Sequence, residues 1–503
     1  MWEPSLIDSL IDAGIDYTVV DDTHFIYGGL SEDDLDGYYL TENEGRILKI
    51  FPGSMRLRYL VPFRPIEESL QYLKQVGPVS LRVLADDGEK FGVWPQTFEH
   101  VYDRGWLDNF LIALETTGIK TLTFSEALKH LKPKGRIYLP CASYEEMGEW
   151  VLNPENHEKF ENLKKRCSQD EKAFIQGGYF KNFLVKYPEI NIMHKRMIYI
   201  SKHLDENPEA RLELWRGQAS CAYWHGIFGG LYLSHLREAV YEHLIASDNI
   251  GLKFDGFKRL DFDCDGEDEV IFSNDFYFIV FKPLFGAMIE FDLRPKLINL
   301  INILTRRSES YHKKVIELTR QNLANGSVKS IHDVMKTKES SLDQHLIYDP
   351  YQRYAFIDFI DGEILRYDDY SIQDQELQFK SRRLLKTIRL TKNNISLKYQ
   401  SEKISGPLDF EISLGLFEDN IEIDSQIWDK KREGLLDSKS LSIVNHDRKF
   451  QISWQFDGHY CLRYYPIETV SMSESGIERN YQGTAFRFHF ETLPSLDLRI
   501  ECS

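Results

Sequence analysis

The sequence lacks the features that mark membrane-spanning, secreted and zinc-binding proteins. It has no apolar run of about 18 residues, the length that a membrane-spanning helix needs. Its N-terminus has no basic segment followed by an apolar one, so we expect no signal peptide. The six cysteines are scattered, without a CxxC pair or a zinc-type spacing. These absences predict a cytoplasmic protein with reduced thiols and no metal centre.

Positive charge is also in short supply. Lys and Arg number 61 against 79 Asp and Glu, which gives a net charge of −18 at pH 7. Such a surface repels phosphate backbones and anionic lipid headgroups, whereas a neutral substrate such as a glucan is indifferent to the sign. We therefore expect neither nucleic acid nor a membrane as a partner. With 503 residues, 42% of them hydrophobic, the chain is long enough for two or three domains.

The N-terminal part alternates helical and strand-like patterns. The first predicted strand ends on Asp21-Asp22 and the second ends on Asp86-Asp87. Such alternation is typical of a parallel sheet or barrel, in which functional residues gather at the carboxyl ends of the strands. The predicted helix–strand pairs are 5–13 with 16–20, 66–76 with 79–84, and 106–115 with 121–123.

The pattern changes twice further along the chain. Apolar spacings of three and four predict a mostly helical region over residues 143–247. From residue 251 onward, short β-rich segments separated by polar turns predict an antiparallel β-sandwich, which one helical stretch at 296–304 interrupts. The predicted fold class is therefore a multidomain protein that combines an α/β part with an all-β part.

The sharpest local pattern is ADDGEKFGVWP at residues 85–95. It places acidic side chains at the end of a predicted strand and Trp94 a few residues later. Glycoside hydrolysis needs a proton donor at the bridging oxygen and a second carboxylate across the sugar ring. A Trp side chain offers a flat face on which a sugar can stack. A solvated turn with capping aspartates explains the same residues, and on spacing alone we favour that turn.

The resemblance of this stretch to a known family reverses that preference. DDGEKFGVWP is nearly identical to the motif that bears the general acid/base in glycoside hydrolase family 57. Other stretches resemble the 4-α-glucanotransferase and α-amylase branch of that family, in the family's order, and the resemblance covers nearly the whole chain. Looser matches are DFDCDGEDEV (261–270) and LTRRSESYH (304–312). The closer matches are AGIDYTVVDDTHF (13–25), LRYLVPFRP (57–65), YLPCASYEEMGEW (138–150), KNFLVKYPEINIMHKRM (181–197) and AYWHGIFGG (222–230).

This resemblance implies both an architecture and an activity. The architecture is the C-terminal part of a (β/α)7 barrel in residues 1–138, a helical domain in 139–250 and a β-sandwich in 251–503. The activity is the processing of α-1,4-glucans or maltooligosaccharides by a retaining mechanism, with no cofactor. Because transfer and hydrolysis share one nucleophile and one acid/base, the sequence does not distinguish a 4-α-glucanotransferase from an α-amylase.

The resemblance also implies the site residues by motif position. Asp87 precedes Gly-Glu-Lys-Phe-Gly and is implied as the general acid/base. Taken alone, each motif histidine is more simply a buried structural residue, but within the motifs we favour a role at the sugar. The residues implied to bind the substrate are Asp22, His24, Glu89, Trp94, Trp224 and His225.

The sequence departs from the family at positions that bear on catalysis. In the family, the nucleophile is a Glu just before a Val-Trp-x-Pro run, and that run corresponds here to residues 1–4. Glu3 follows the Trp and does not match the nucleophile. Without a nucleophile a retaining mechanism has no glycosyl-enzyme, so we expect residues 1–503 alone to be inactive. Three further positions differ: Cys221 replaces an Asp, Ala85 a frequent His and Thr23 a frequent Tyr.

Two other functions stay open at this point. One is a non-catalytic α-glucan-binding remnant or regulatory protein, which would keep Trp94 and Trp224 as stacking platforms and which Cys221 favours. The other is a subunit that a separate N-terminal chain completes, and assembly with a second copy is equally open. The DNA upstream discriminates between them. A stretch that encodes Glu-Arg before Met1 favours the enzyme, and a separate short gene favours the subunit.

An acidic loop after residue 260 needs its own interpretation. Asp261, Asp263, Asp265 and Glu269 provide oxygen ligands at positions 1, 3, 5 and 9 of a tight loop, which is a calcium-like spacing. Position 12 is Phe272, so the loop is not an EF-hand. The alternative is an Asp-Gly turn that leads into a strand. We favour the turn and predict no metal.

Overall fold

A computed structural model describes residues 1–75, 80–94, 97–172, 174–204, 206–251, 254–322, 338–339, 341–401, 407–473 and 476–502. The chain divides into two compact units, residues 1–182 and 183–503. Among the described residues, no helix combines the length and the apolar character that crossing a bilayer requires.

A three-stranded sheet lies in the first unit. Its strands are β1 (Tyr17–Asp21), β2 (Tyr39–Asn43) and β3 (Arg46–Gly53). β3 is central, parallel to β1 and antiparallel to β2. Gly53 at the end of β3 also forms a parallel bridge with Val83. Three parallel segments therefore end side by side, at Asp21, Gly53 and Val83.

The helices of the first unit begin at recognisable sequence signals. Thr123 and Glu126 form a reciprocal capping box at the start of one helix. Asn153 caps another helix, which has Pro154 at its first position. The helices are α1 (Leu6–Asp12), α2 (Asp22–Tyr27), α3 (Met55–Leu60), α4 (Ile66–Lys74), α5 (Trp106–Thr116), α6 (Phe124–His130), α7 (Glu145–Trp150), α8 (Pro154–Arg166) and α9 (Gln169–Lys172), with short 3-10 turns at Glu32–Asp34 and Gly88–Lys90 and a π-helical turn at Glu99–Asp103.

The strand predictions for this unit are only partly confirmed. The predicted strand at 16–20 is β1. Of the strand predicted at 79–84, residue 79 lies outside the described residues, and the rest forms one parallel bridge instead of a strand. The strand predicted at 121–123 is wrong. Residues 80–84 contribute only the bridge at Val83, and residues 121–123 form a loop before α6. Leu122 is 43% exposed there, so its apolar side chain has no sheet face to cover.

The second unit begins with helices. The helical region predicted over residues 143–247 is confirmed, since most of the described residues in that range are helical. The helices are α10 (Asn182–Lys186), α11 (Pro188–His203), α12 (Pro208–Gly217), α13 (Ser234–Gly251) and α14 (His312–Asn322), with short 3-10 turns at Ser220–Tyr223, Gly230–Tyr232, Pro283–Phe285, Arg294–Lys296 and Leu342–His345.

Two antiparallel sheets make up most of the rest of this unit. A five-stranded sheet has the order β4-β5-β6-β7-β8, and a thirteen-stranded sheet contains β9 to β21. Phe272 and Tyr277 of the smaller sheet share one hydrophobic core with Phe379 and Leu397 of the larger sheet. The strands are β4 (Gly256–Leu260), β5 (Glu269–Ser273), β6 (Tyr277–Lys282), β7 (Ala287–Leu293), β8 (Ile298–Asn299), β9 (Ile357–Ile360), β10 (Glu363–Ile364), β11 (Asp369–Gln373), β12 (Glu376–Lys380), β13 (Leu385–Leu390), β14 (Asn394–Gln400), β15 (Leu408–Leu414), β16 (Ile421–Ile423), β17 (Gln426–Ile427), β18 (Gly434–Asn445), β19 (Phe450–Ser473), β20 (Gly476–Phe490) and β21 (Ser495–Cys502).

The predicted antiparallel character of this region is confirmed, but the helix predicted at 296–304 is wrong. That stretch contains the short strand β8 and then an irregular segment. Leu300, Ile301, Ile303 and Leu304 are all buried. A run that is buried on every side has no polar face, so its apolar spacing does not distinguish a helix from a buried extended segment.

A buried charge cluster joins helices to the smaller sheet. Arg196 of α11 lies within 2.7 Å of Asp248 of α13 and within 3.1 Å of Asp292 of β7. Its Nε is 3.0 Å from Glu290 without hydrogen-bond alignment. Burial, and then the charge of Asp292, raise the pKa of Glu290 well above its ordinary value. A protonated Glu290 leaves Arg196 and Arg294 balanced by Asp248 and Asp292.

Candidate functional site

Acidic side chains gather at the carboxyl ends of the parallel segments in the first unit. β1 ends on Asp21, Gly53 is its partner in β3, and Val83 bridges Gly53 shortly before Asp86. This adjacency follows from parallel pairing, because parallel neighbours present their carboxyl ends at one edge. The predicted meeting of Asp21-Asp22 with Asp86-Asp87 is therefore consistent with the topology.

Two cations hold this acidic edge together. Arg58 of α3 donates from Nη1 to Asp21 Oδ2 at 2.7 Å, and its Nε lies 3.7 Å from Asp86 Oδ1. Lys90 donates to Asp86 Oδ2 at 2.7 Å and to the carbonyl of Arg58 at 3.1 Å. The side chains of Asp86 and Lys90 are about 5% exposed. Asp86 is thus a buried, paired anchor that fixes the backbone leading to Asp87.

Asp22 is an acid of this edge with a raised pKa. It begins α2, is buried, and accepts the N–H of Met55 at 3.0 Å through Oδ2. Burial, and then the charge of Asp21, raise the pKa of the Asp22 carboxyl to about 7. Asp22 therefore exchanges a proton near neutral pH, a property that its motif position did not indicate.

Asp87 and Glu89 lie on the surface of the first unit. Asp87 precedes the short 3-10 turn Gly88–Lys90, and its backbone N–H donates to Asp86 Oδ1 at 2.9 Å. Both carboxylates are exposed, which differs from the partly apolar setting that a general acid usually has. The carbonyl of Glu89 accepts the N–H groups of Val93 and Trp94, both at 3.0 Å. The turn therefore fixes the position of Trp94 relative to Asp87.

Trp94 belongs to a small aromatic group. Its ring lies nearly parallel to that of Phe63, with the centroids 6.0 Å apart and an angle of 19° between the planes. The Lys90 ammonium is 5.4 Å from the Trp94 ring and 5.6 Å from the Phe63 ring. Trp94 is half-buried and Phe63 is 43% exposed. The motif LRYLVPFRP thus contributes Phe63 and Arg58 beside the Trp94 motif.

His24 has the contacts of a structural histidine. Its ring is fully buried, with Nδ1 3.2 Å from the carbonyl of Asp21 and Nε2 3.1 Å from the carbonyl of Ala142. Burial lowers the pKa of His24 to about 4, so the ring is neutral at physiological pH. A neutral ring has one N–H, which donates to one of the two carbonyls. The predicted contact of His24 with sugar stays a prediction.

Trp224 and His225 lie in the second unit, in a loop between two short 3-10 turns. Gly230 closes this loop with a φ of +51°, and a Cβ there would lie 2.2 Å from the carbonyl oxygen of Trp224. Glycine is therefore required at Gly230. Trp224 is half-buried and tilts against Phe183 at 6.4 Å. Beside it, Phe228 is 49% exposed, so the loop presents aromatic surface.

His225 is connected through the Tyr187 hydroxyl to a buried carboxylate, Glu309. Tyr187 and Tyr232 donate their hydroxyl protons to Glu309 Oε1 at 2.5 and 2.6 Å. The Tyr187 oxygen is 2.7 Å from His225 Nε2. Because the Tyr187 proton points to Glu309, His225 Nε2–H is the donor in that contact. Lys186 completes the network with its ammonium 2.9 Å from Glu309 Oε2.

Burial and neighbouring charges determine the protonation states of His225 and Glu309. Burial lowers the pKa of His225 to about 3, so His225 is neutral at physiological pH. Burial alone would raise the pKa of Glu309. The Lys186 charge, the charge that His225 gains in acid and the tyrosine hydrogen bonds outweigh burial and lower the pKa to about 2. His225 Nε2 is 3.9 Å from Glu309 Oε2, yet a neutral imidazole makes no ion pair. Lys186 is the counter-charge of Glu309.

The sequence analysis did not single out Glu309, Tyr187 or Lys186. All three stood in stretches whose resemblance to the family was noticed, KNFLVKYPEINIMHKRM and LTRRSESYH. Lys186 and Tyr187 are separated from Glu309 by 123 and 122 positions. No local spacing marks a contact over that distance.

The acidic loop after residue 260 already contains a cation, the ammonium of Lys282. Lys282 Nζ lies 2.6 Å from Asp263, 2.7 Å from Asp265 and 2.9 Å from Glu269. Oxygens of Asp261, Asp263 and Asp265 lie within 4.8 Å of one another, as metal ligands would. Asp261 instead accepts the N–H groups of the turn, from Asp265 at 3.0 Å and from the next residue at 3.2 Å. This arrangement supports the turn.

Removal of the Lys282 ammonium is expected to destabilise the protein and to create calcium dependence. Burial alone would lower the pKa of Lys282, but hydrogen bonds to three carboxylates outweigh it and raise the pKa above its ordinary value. Lys282→Met leaves these carboxylates without a counter-charge, at a cost of about 3 kcal/mol. Thermal unfolding with and without Ca²⁺ measures the effect. We expect Ca²⁺ to raise the Tm of Lys282→Met alone.

The control for that experiment is Lys398→Met, which removes an exposed lysine from β14 of the larger sheet. Its Tm should match that of the unmodified protein in both conditions. If Lys282→Met unfolds at the unmodified Tm, the ammonium is not the counter-charge that these carboxylates require.

Comparisons with known proteins agree with this arrangement. Residues 1–140 match the profile of "Glycosyl hydrolase family 57". Residues 178–250 match "Alpha-amylase/4-alpha-glucanotransferase, middle domain", and residues 261–502 match "Alpha-amylase/4-alpha-glucanotransferase, C-terminal".

Similar proteins cover almost the entire chain. "Alpha-amylase 1" of Dictyoglomus thermophilum is 39% identical over 97% of this chain and 79% of its own length. The "4-alpha-glucanotransferase" of Thermococcus kodakarensis is 37% identical over 99% of this chain and 80% of its own length. The crystal structure of 4-alpha-glucanotransferase from Thermococcus litoralis superposes with a TM-score of 0.82 at 32% identity, over 99% of this chain and 80% of that one. The chain belongs to glycoside hydrolase family 57.

Proposed function

We propose that this protein processes α-1,4-glucans by the retaining mechanism, as a 4-α-glucanotransferase or an α-amylase. The observation that carries the proposal is the acidic edge of the first unit, where paired aspartates follow neighbouring parallel segments. Proteins of similar sequence named alpha-amylase and 4-alpha-glucanotransferase support it. Cleavage of a glycosidic bond requires a carboxylic acid that donates a proton to the leaving oxygen.

In this proposal, Asp87 is the acid/base. Its backbone is fixed by the buried Asp86–Lys90 pair, while its side chain stays accessible to a substrate. Glu89 and Trp94 line the sugar next to Asp87, and Asp22 and His24 support the same edge. Within the second unit, Trp224 is a separate proposed stacking platform for glucan, with His225 next to it in the chain. The predicted substrate is an α-1,4-glucan or a maltooligosaccharide.

The proposal includes an architecture. The parallel segments that end at Asp21, Gly53 and Val83 would be the C-terminal part of a (β/α)7 barrel within residues 1–138. A helical domain in 139–250 and a β-sandwich in 251–503 would follow, a division that the ranges of the three family profiles support. All six cysteines are free thiols, which supports the cytoplasmic location.

The two tryptophans give the direct test of glucan binding. Trp94→Ala and Trp224→Ala should each weaken maltooligosaccharide binding by about 1–2 kcal/mol, because each removes aromatic contact area from a sugar ring. Titration calorimetry measures both affinities. Trp215→Ala is the matched control, since Trp215 is 60% exposed and lies outside the motifs. Equal affinities for the unmodified protein and Trp94→Ala would remove Trp94 from the proposed site.

A non-catalytic glucan-binding protein is the second candidate. The observation that favours it is the exposed thiol of Cys221, close to Trp224, where the family has an Asp. This candidate predicts the same tryptophan effects on binding. It differs in predicting no turnover by any form of the protein.

A further inference from the structure

A cationic cavity lies on the larger sheet of the second unit. Its volume is about 570 Å³, within the range of small-molecule sites. Its floor includes Arg463 of β19, which is paired directly opposite Arg487 of β20, and Tyr465, which is paired opposite Ala485. Five cationic side chains line the cavity, together with Glu433 and Glu468. A positive cavity is a local exception in a chain of net charge −18.

The pair Arg463–Arg487 is the central feature. Like charges directly opposite each other in an antiparallel pair destabilise a sheet unless something neutralises them. Asp409 neutralises Arg487, accepting from its Nε at 3.0 Å and from its Nη2 at 2.8 Å. No carboxylate of the described residues lies within 4.0 Å of the Arg463 guanidinium. Of this pair, Arg463 is therefore the member that the described residues leave without an acidic partner.

Buried groups fix the orientation of Arg463. Its guanidinium lies 5.5 Å from the centroid of the Tyr465 ring. The Tyr465 hydroxyl donates to Glu411 at 3.1 Å and accepts from Arg353 at 2.9 Å. Glu411 and Arg353 are a buried ion pair, with 2.6 Å between Oε1 and Nη1. A rigid aromatic surface thus supports the guanidinium.

The rim of the cavity adds cations that their own acids hold in place. Arg306 contacts Asp349, and Arg479 contacts Glu468 at 3.3 Å. Lys431 is exposed, and the described residues place no carboxylate within 4.0 Å of its ammonium. Positioned guanidinium groups and one lysine around an open volume are the groups that recognise phosphate.

We propose that this cavity binds a phosphate monoester, with a sugar phosphate as the ligand that fills it. The phosphate lies between Arg463 and Lys431, because these cations lack acidic partners. The cavity is larger than a phosphate group, which leaves room for a sugar beside Tyr465. The binding of the phosphate group is inferred from the geometry of the cavity alone. The binding of a sugar attached to that phosphate rests on the proposed function.

The experiment is calorimetric titration of residues 1–503 with three probes at low ionic strength, where charge interactions are least screened. The probes are inorganic phosphate, glucose 1-phosphate and maltose. We expect both phosphates to bind, with glucose 1-phosphate tighter. Arg463→Gln should weaken both by at least about tenfold, as loss of a charge-assisted contact does. Maltose affinity should be the same in Arg463→Gln.

Arg389→Gln is the matched control, because Arg389 is an exposed arginine of β13 in the same sheet, outside the cavity. Lys431→Gln is the second variant, for the case that Arg463→Gln does not fold. Equal affinity for the two phosphates would limit the site to phosphate and overturn the sugar part. Absence of phosphate binding, or equal losses in Arg389→Gln and Arg463→Gln, would overturn the whole proposal. Failure of glucan processing would instead appear as absence of turnover of longer maltooligosaccharides, which these titrations do not measure.

Discussion

Glu309→Gln is expected to lower the free energy of unfolding of the second unit by about 3 kcal/mol at neutral pH. The substitution keeps the size of the side chain and removes its charge. Lys186, whose ammonium is 2.9 Å away, then loses its counter-charge in a buried setting. The amide also offers one carbonyl oxygen in place of two carboxylate oxygens. The hydroxyl groups of Tyr187 and Tyr232 then compete with Lys186 for that oxygen.

The loss has a defined pH dependence. The folded pKa of Glu309 is lowered to about 2, whereas an unfolded Glu titrates near its ordinary value of about 4.3. A lowered carboxyl pKa contributes stability that is present above the unfolded pKa and is lost as the pH falls towards the folded pKa. The difference between the unmodified protein and Glu309→Gln should therefore be constant near neutral pH and shrink below about pH 4.

His225 adds to acid sensitivity through the same logic. Its folded pKa is lowered to about 3, so the unfolded chain binds its proton first on acidification. Stability from a neutral His225 falls from about pH 6.5 downward. Burial lowers the pKa of His225 and the charge of Glu309 raises it, so loss of that charge in Glu309→Gln should make this slope steeper.

Chemical denaturation monitored at several pH values measures both effects. Glu317→Gln is the matched control, since Glu317 is an exposed glutamate of α14 in the same unit. Because His225 follows Trp224, Glu309→Gln should also weaken maltooligosaccharide binding, while Glu317→Gln should not. A Glu309→Gln protein with unchanged stability at neutral pH would show that the buried carboxylate is not required as a counter-charge.

The sequence predicted elements whose periodicity is local. The helix that became α1, the strand that became β1 and the helical region of the second unit all show one face of apolar residues. The prediction failed at residues 121–123 and 296–304, where short apolar runs carry no such face. Burial of Leu300 and Ile303 depends on the sheets that surround them, and a window of the sequence does not contain that information.

The candidate site, like the fold, was only partly predictable from the sequence. Parallel strand ends indicated that Asp21-Asp22 and Asp86-Asp87 share one edge. Spacing did not indicate that Arg58 bridges Asp21 and Asp86, because the two contacts span 37 and 28 positions and depend on where α3 begins. Nor did it indicate that Asp22 has a raised pKa, since that shift comes from burial.

Asp87→Asn is expected to lower turnover of maltooligosaccharides by roughly a thousandfold in a form of the protein that is active. An amide donates no proton to the glycosidic oxygen, so the first bond cleavage loses its acid. A substrate with an activated leaving group, such as a maltosyl fluoride, needs little protonation. Asp87→Asn should therefore lose far less activity on the fluoride in the glycosylation step. That difference distinguishes an acid from a residue that only shapes the site.

Asp22→Asn is the matched control at the same edge. It keeps an oxygen that can accept the N–H of Met55, and any loss of substrate binding should lower turnover equally with both substrates. Since the folded pKa of Asp22 is raised to about 7, its contribution to stability is lost as the pH rises through that value. Asp22→Asn should accordingly be more stable than the unmodified protein above pH 7.

The form that is assayed matters for this test. The test requires a form of the protein that carries the nucleophilic Glu, which the resemblance implies just before the run matched by residues 1–4. In that form, Asp87→Asn should remove the activity. Robust turnover by residues 1–503 alone would place the nucleophile among the residues present. Turnover that survives Asp87→Asn with both leaving groups would assign proton transfer to another carboxyl, and Asp22 is the one at this edge whose pKa already lies near 7.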